Sequence, residues 1–175
     1  MIHYKQASDL SELEQILALQ KVNLPQNITA EEMNKEGFVT VEHDLRLLKK
    51  MNDVCPHTIA TIDNEVVGYA LSMHPKFETE IEVLKPLFNA IPSKYKLAEN
   101  FMVMGQICIS KAHRGQGIFR GLYHQMKYFM PKTFPNIITS IDTNNQHSYA
   151  AHKAIGFIDL SIYYTKGKSW HLVIL

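Results

Sequence analysis

FMVMGQICISKAHRGQGIFRGLYHQMKYFM, residues 101–130, is the stretch whose reading decides the fold. Its first nine residues are almost unbroken in apolar character, and Met102, Val103, Ile107 and Ile109 suit a strand buried on both faces. Residues 110–117 are polar, basic and twice interrupted by glycine. From Ile118 onward, Ile118, Leu122, Met126 and Phe129 recur at helical spacing until Pro131 stops the run. Strand, Gly-rich turn and helix in that order make an anion site. The first N–H groups of a helix have no partner within it and carry its positive dipole end, while Gly115 and Gly117 let a bulky anion approach the backbone. Arg114 adds a fixed charge beside them.

The bulk properties bound what this anion belongs to. A chain of 175 residues, 46% hydrophobic, suits a single domain over residues 1–175 that buries roughly 70% of its unfolded surface. Lys and Arg number 18 against 17 for Asp and Glu, so no long-range attraction for nucleic acid or anionic lipid is expected, and a phosphate site must be local. The cysteines are Cys55 and Cys108, and no apolar run is long enough to span a bilayer. These features predict a protein of the reducing cytoplasm with no nucleic-acid or membrane partner.

Outward from the central stretch, Ile2 and Tyr4 alternate with His3 and Lys5 as a short strand, and Ser8 is expected to cap a helix carrying Leu10, Leu13 and Leu17. Thr29 and Glu32 form a capping-box pattern, Gly37 could end that helix, residues 38–41 read as a brief extended run, and Leu45, Leu48 and Met51 suggest another helix. Residues 58–62 and 65–73 are β-rich and joined by Asp63-Asn64, which suits a type I′ hairpin. Pro75, Pro86 and Pro92 mark a flap or side wall in which Thr79 and Glu82 suggest a capped short helix. Beyond the central unit come a strand at 136–141, a helix at 145–155 closed by Gly156, a strand at 157–165 whose Ile158, Leu160, Ile162 and Tyr164 share a face, and a terminal strand at 169–174. The expected class is α/β (α+β), with a mixed, mostly antiparallel sheet flanked by helices.

Two nucleotide-binding readings fail. Gly115, Gly117 and Gly121 fit a variant dinucleotide fingerprint with Asp142 as the ribose acid, but the motif follows an antiparallel hairpin, and too little chain remains after it for a doubly wound sheet. Gly167-Lys168-Ser169 lacks the P-loop glycine six residues before the lysine, where Ile162 stands.

Residues 109–120, ISKAHRGQGIFR, resemble the acetyl-CoA pyrophosphate loop of the GNAT N-acetyltransferase superfamily, whose pattern is Arg or Gln, two residues, Gly, one residue, then Gly or Ala. Arg114 and Gly117 match, and the last small position is Phe119. A second element also resembles the family: Asn145 lies seven residues before His152, which is four before Gly156-Phe157, and the family usually has Tyr where His152 stands. The resemblance implies a central strand that splays from its parallel neighbour, with acetyl-CoA as donor between them. Ile107, Cys108 and Ile109 would hold the pantetheine and thioester by their main chain, and Gly105 suits a bulge there. Arg114, Gly115, Gln116, Gly117, Ile118 and Phe119 would form the phosphate cradle.

The resemblance also assigns roles. The N–H of Ile109 or a neighbour would polarise the thioester carbonyl, His152 would be the general acid that protonates the leaving thiolate, and Tyr149 is the fallback. Asn145 would bind the pantetheine arm or cap its helix. Sequence does not identify the base: Glu99, just before the central strand, and His74, ending the hairpin, could face the acceptor site directly or through water, and neither is assigned. The implied activity is acetyl transfer to a primary amine of a small molecule or peptide by direct attack in a ternary complex. The alternative is a non-catalytic acyl-CoA-binding regulatory module. The acceptor cavity is expected between residues 23–52 and 74–100, and a homodimer through the terminal strands is compatible with the pattern.

Overall fold

A computed structural model describes residues 1–79, 81–96 and 101–175. Seven strands form one sheet in the order β1-β2-β3-β4-β5-β7-β6: β1 His3–Gln6, β2 Thr58–Ile62, β3 Glu65–Met73, β4 Phe101–Ile109, β5 Asn136–Asp142, β6 Ile158–Thr165 and β7 Lys168–Ile174. Among the described residues only β4 and β5 pair in parallel, so the sheet is mixed and mostly antiparallel.

Helices cover both faces. Against one lie α1 (Leu10–Lys21) and α3 (Leu45–Val54), burying Leu13, Ile16, Leu48 and Met51 with Tyr69, Leu71, Val103 and Leu172 of the sheet. Against the other lies α6 (Ile118–Phe129), whose Ile118, Leu122, Tyr123 and Met126 pack on Met102, Met104, Ile137 and Val173. The spacing of four residues that marked this helix in the sequence is thus its buried stripe. Tyr149 of α7 (Gln146–Ala154) packs at the margin of the same cluster.

Several local expectations hold in detail. Asp63 and Asn64 have φ values of 50° and 67°, as a type I′ turn between β2 and β3 requires. Thr29 and Glu32 make both bonds of a capping box on α2 (Ala30–Glu36), which Gly37 closes at φ 76°. Others are corrected. The cap of α1 is Asp9, whose carboxylate accepts from the Glu12 N–H, while the Ser8 N–H donates to the Glu12 side chain. Thr79 is not an N-cap: it ends a short 3-10 turn, Pro75–Glu78, that His74 caps. Pro86 does start a helix, α4 (Lys85–Ala90), before the short α5 (Ser93–Lys96). This segment is a packed side wall: Phe77, Ile81, Leu84, Leu87, Phe88 and Ile91 are all buried in the core under α1 and α3.

Residues 38–41 form no strand. They run as a strap across the sheet, held by Val39 N–H to Asn23 O at 3.2 Å and by Gln106 Nε2 to Val41 O at 2.7 Å. The common face expected for Ile158, Leu160, Ile162 and Tyr164 is also broken. The β6–β7 register shifts between Asp159 and Ser161, which reverses the alternation, so Ile162 and Tyr164 lie opposite to Ile158. These three are 61–72% exposed on the edge strand, while Leu160 and Tyr163 reach the core.

The feature that positions the site is a second irregularity. Ser72 pairs with Met104 and Ala70 with Ile107, so Leu71 faces both Gly105 and Gln106, a β-bulge at the glycine expected to mark one. Parallel pairing of β4 with β5 stops just before it, at Val103 and Ile138. The Thr139 hydroxyl still donates to Met104 O at 2.8 Å, and a cleft lined by both strands opens beyond it.

Candidate functional site

The Ser110 N–H donates to Val67 O at 2.8 Å, which turns its main chain toward β3. By strand alternation Cys108 turns the same way, whereas Ile107 and Ile109 present their main chain to the side that β5 has left. Cys108 is buried, and desolvation pushes its thiol up to about 12, so it is an inert apolar side chain here.

After β4 the chain makes a 3-10 turn, Lys111–His113, and then passes through Gly115 at φ 74° and Gly117 at φ 79°, both left-handed. A Cβ at either glycine would meet nothing within 4 Å, so conformation and open space, not crowding, set the residue type. Gly117 is the N-cap of α6 and no side chain caps that helix. The first-turn N–H groups therefore have no side-chain cap, an arrangement that can bind phosphate.

These groups border a cavity of about 570 Å³. Ile107, Cys108, Ile109, Arg114, Gly115, Gly117, Ile118, Phe119 and Asn145 all line it, so most of the residues selected from the sequence converge on one space. Gln116 is exposed, with Nε2 at 3.5 Å from Ala112 O, and does not line it. Lys35, His113 and His147 add polar lining that no sequence motif singles out.

Arg114 is not aimed at the cavity as a free cation. Its guanidinium binds the Glu36 carboxylate, donates to Asn23 Oδ1 at 2.8 Å, and reaches Ile109 O through Nε at 3.2 Å. Lys111 pairs with Glu32 in the same way, and that ammonium, the foremost cause, holds the Glu32 carboxyl down at about 2. Both cations thus tie the Gly-rich loop to α2.

The large cavity shares Phe38, Val39, Ile107, Asn145 and Ser148 with a cleft of about 50 Å³ in the opening between β4 and β5. Asn145 stands at the junction. Its Nδ2 donates to Phe38 O at 2.9 Å and its Oδ1 accepts from the Ser148 N–H at 3.2 Å, so it caps α7 and fastens the strap with one side chain. On the far side Gln106 accepts from Tyr69 Oη at 2.6 Å and from Gln20 Nε2 at 2.8 Å, within a buried network that includes His43. A lone Gln inside an apolar run was the only sequence signal for it.

His152 lines the cleft but is fully buried, at 1% exposure. Its Nδ1 lies 2.7 Å from Ser148 O, which requires Nδ1–H to donate, and its Nε2 lies 2.7 Å from Tyr123 Oη, which donates to it when the ring is neutral. Burial lowers its pKa to about 4, against a smaller opposing pull from the Ser148 carbonyl. The single ring N–H is spent on a carbonyl, so this arrangement sets up no proton for a leaving group. Phe119, the other departure from the family pattern, packs edge-on against His152 at 5.0 Å and against Tyr123 at 5.3 Å. The two unusual residues are partners: the imidazole stands in an aromatic cage that the Phe119 ring helps to close.

Tyr149 lines neither the cavity nor the cleft. It stacks on His171 at 4.2 Å and its hydroxyl donates to Asp159, which places the fallback acid outside the site. His74 is occupied as a cap beside Phe134, and Glu99 lies outside the described residues. The described residues of the 75–96 side wall line neither space, so of the two expected acceptor walls only residues 23–52 contribute, through Asn23, Lys35, Glu36, Gly37 and the strap.

The same architecture occurs in solved structures. A GNAT-family acetyltransferase from Bacillus cereus is 16% identical, with 100% of this chain and 96% of that chain covered at a TM-score of 0.64. Ard1 from Thermoplasma volcanium is 10% identical over 99% and 96% at a TM-score of 0.69. Arabidopsis thaliana Naa50, in complex with the bisubstrate analogue CoA-Ac-MVNAL, is 16% identical over 99% and 97% at a TM-score of 0.65. A comparison with curated proteins found no match. The model of the acetyltransferase (GNAT) family matches residues 17–157, most of the chain and all of the loop, bulge and strap described above, and the chain belongs to that family.

Proposed function

We propose that this chain is an acetyl-CoA-dependent N-acetyltransferase that moves the acetyl group to a primary amine by direct attack in a ternary complex. The observation that carries the reading is the continuity of the site: an uncapped helix start and two left-handed glycines border a large cavity that narrows into the opening between β4 and β5. The α6 N-terminus would take the pyrophosphate, and the main chain of Ile107 and Ile109 would hold the pantetheine and polarise the thioester carbonyl. The amine nitrogen forms a bond to the carbonyl carbon, the C–S bond breaks, and the thiolate takes up the proton that the amine gives away.

The leaving thiol has an ordinary pKa of about 8.5, so it departs readily without a dedicated acid. We assign His152 to hold the wall of the cleft through Tyr123 and Phe119. The expected acid role is kept as the hypothesis under test: a thiolate protonated by His152 makes turnover collapse in His152→Ala with acetyl-CoA affinity kept. Turnover within tenfold of the native value across pH 6–9 removes it.

The committed nitrogens of His152 favour one competing reading, an acyl-CoA-binding module without turnover. Thiol release measured over a panel of polyamines, amino acids, aminoglycosides and peptide N-termini separates the two. Release with at least one acceptor class is expected, and tight acetyl-CoA binding without release on any of them would establish the module. Independently of the activity, a homodimer through the terminal strands is proposed, and sedimentation of an Ile162→Lys variant tests it.

A further inference from the structure

Among the described residues, one buried side-chain donor has no hydrogen-bond partner: Nε1 of Trp170. Trp170 lines the cleft between β4 and β5 and does not line the large cavity. Six polar residues that share this lining already have partners. Gln106, Thr139, Ser140, Asp142, Asn145 and His152 each have a partner: Tyr69, Met104 O, Tyr163, Lys168, Phe38 O and Tyr123 respectively. An unpaired buried donor is a standing desolvation cost that an incoming acceptor oxygen relieves, so Trp170 is the polar group this cleft keeps for something else.

Its place in the sheet says what approaches it. Trp170 alternates with Leu172 and Ile174 on the face packed by α1 and α3, whereas α6 and the Gly-rich loop lie on the opposite face. A donor molecule held at the α6 N-terminus therefore reaches the cleft from the other side of the sheet. Trp170 shares the lining of the cleft with Phe38, Val39 and Thr40 of the strap.

We propose that the Trp170 indole N–H is a specificity-determining donor for the acceptor, selecting amines that carry a hydrogen-bond-accepting oxygen close to the nitrogen, such as an α-aminoacyl group, over plain alkylamines. This inference rests on the transferase reading above and narrows its substrate class.

The chain has a single tryptophan, so the indole N–H gives one resonance in a nitrogen-correlated proton spectrum and reports on this group alone. Protein saturated with CoA is titrated with alaninamide and, separately, with propylamine. A downfield shift with alaninamide and none with propylamine is expected. In steady-state assays with acetyl-CoA, Trp170→Phe keeps the ring's bulk and is expected to raise KM for alaninamide about tenfold, with kcat, the propylamine KM and CoA affinity within twofold of native. An indole resonance that ignores both amines, or one that shifts on acetyl-CoA relative to CoA without any amine, overturns the assignment; the second result would give the N–H to the thioester. Equal KM changes for both amines in Trp170→Phe overturn it as well. Turnover of neither amine nor any other acceptor, with acetyl-CoA still bound, removes the transferase reading and this inference with it.

Discussion

Phe119 and His152 show how two departures from a family pattern can be one structural event. The pattern asks for a small residue at the first and Tyr at the second, and here a benzyl ring and an imidazole fill the corresponding space between α6 and α7, joined by Tyr123 and Phe157. Phe119→Ala empties part of this half-buried cage and is expected to destabilise the fold by about 2 kcal/mol, read as a lower urea midpoint with an unchanged slope. Native stability in that variant would mean that the cage contributes nothing. Arg114 is legible in sequence as a charge beside an anion site, but its three contacts make it a clamp between loop and α2. Arg114→Lys keeps the charge without the planar fork, and a loss of acetyl-CoA affinity of tenfold or more is expected by calorimetry. If affinity were retained in Lys and lost in Gln, charge and not geometry would be what matters.

At the scale of elements, the Gly-rich turn depends on backbone conformation. Gly117→Val places a β-branched residue at φ 79° and is expected to abolish acetyl-CoA binding while the far-ultraviolet dichroism stays native, since the site of substitution is open and touches no core atom. Asn145→Ala removes both the α7 cap and the tie to the strap at Phe38. About 1 kcal/mol of stability should go with the cap, and amide exchange at residues 38–41 should speed up selectively. The strand-turn-helix unit, the type I′ hairpin and the capping box were readable because each depends on residues a few positions apart. The β6 alternation was not, because a bulge at Leu160 reverses it and bulges leave no mark in a run of apolar residues. The strap joins no strand of the sheet because its bonds go to Asn23, Gln106 and Asn145, which are distant in sequence and left no local signal. Trp170 carried no local signal at all, and only the three-dimensional placement of its nitrogen distinguishes it.

Across the whole molecule, three histidines are held neutral by burial. His152 and His43 titrate at about 4 and His57 at about 3, each lowered foremost by desolvation. Their unfolded values lie near 6.5, so the unfolded chain takes up protons at pH values where the native chain does not. Their contribution is therefore complete above pH 6.5 and is lost as pH falls toward 4, on the order of 3 kcal/mol for His152 alone. Thermal melts in matched buffers should show a falling midpoint over that window, and a flat profile from pH 7 to 4.5 would contradict the neutral, buried assignment. The central claim is that the space joining the α6 N-terminus to the β4–β5 opening holds acetyl-CoA. Calorimetric titration of the protein with acetyl-CoA and CoA tests it most directly: both should bind at one site per chain, and Gly117→Val should bind neither. If the native protein bound neither ligand, the account would be wrong.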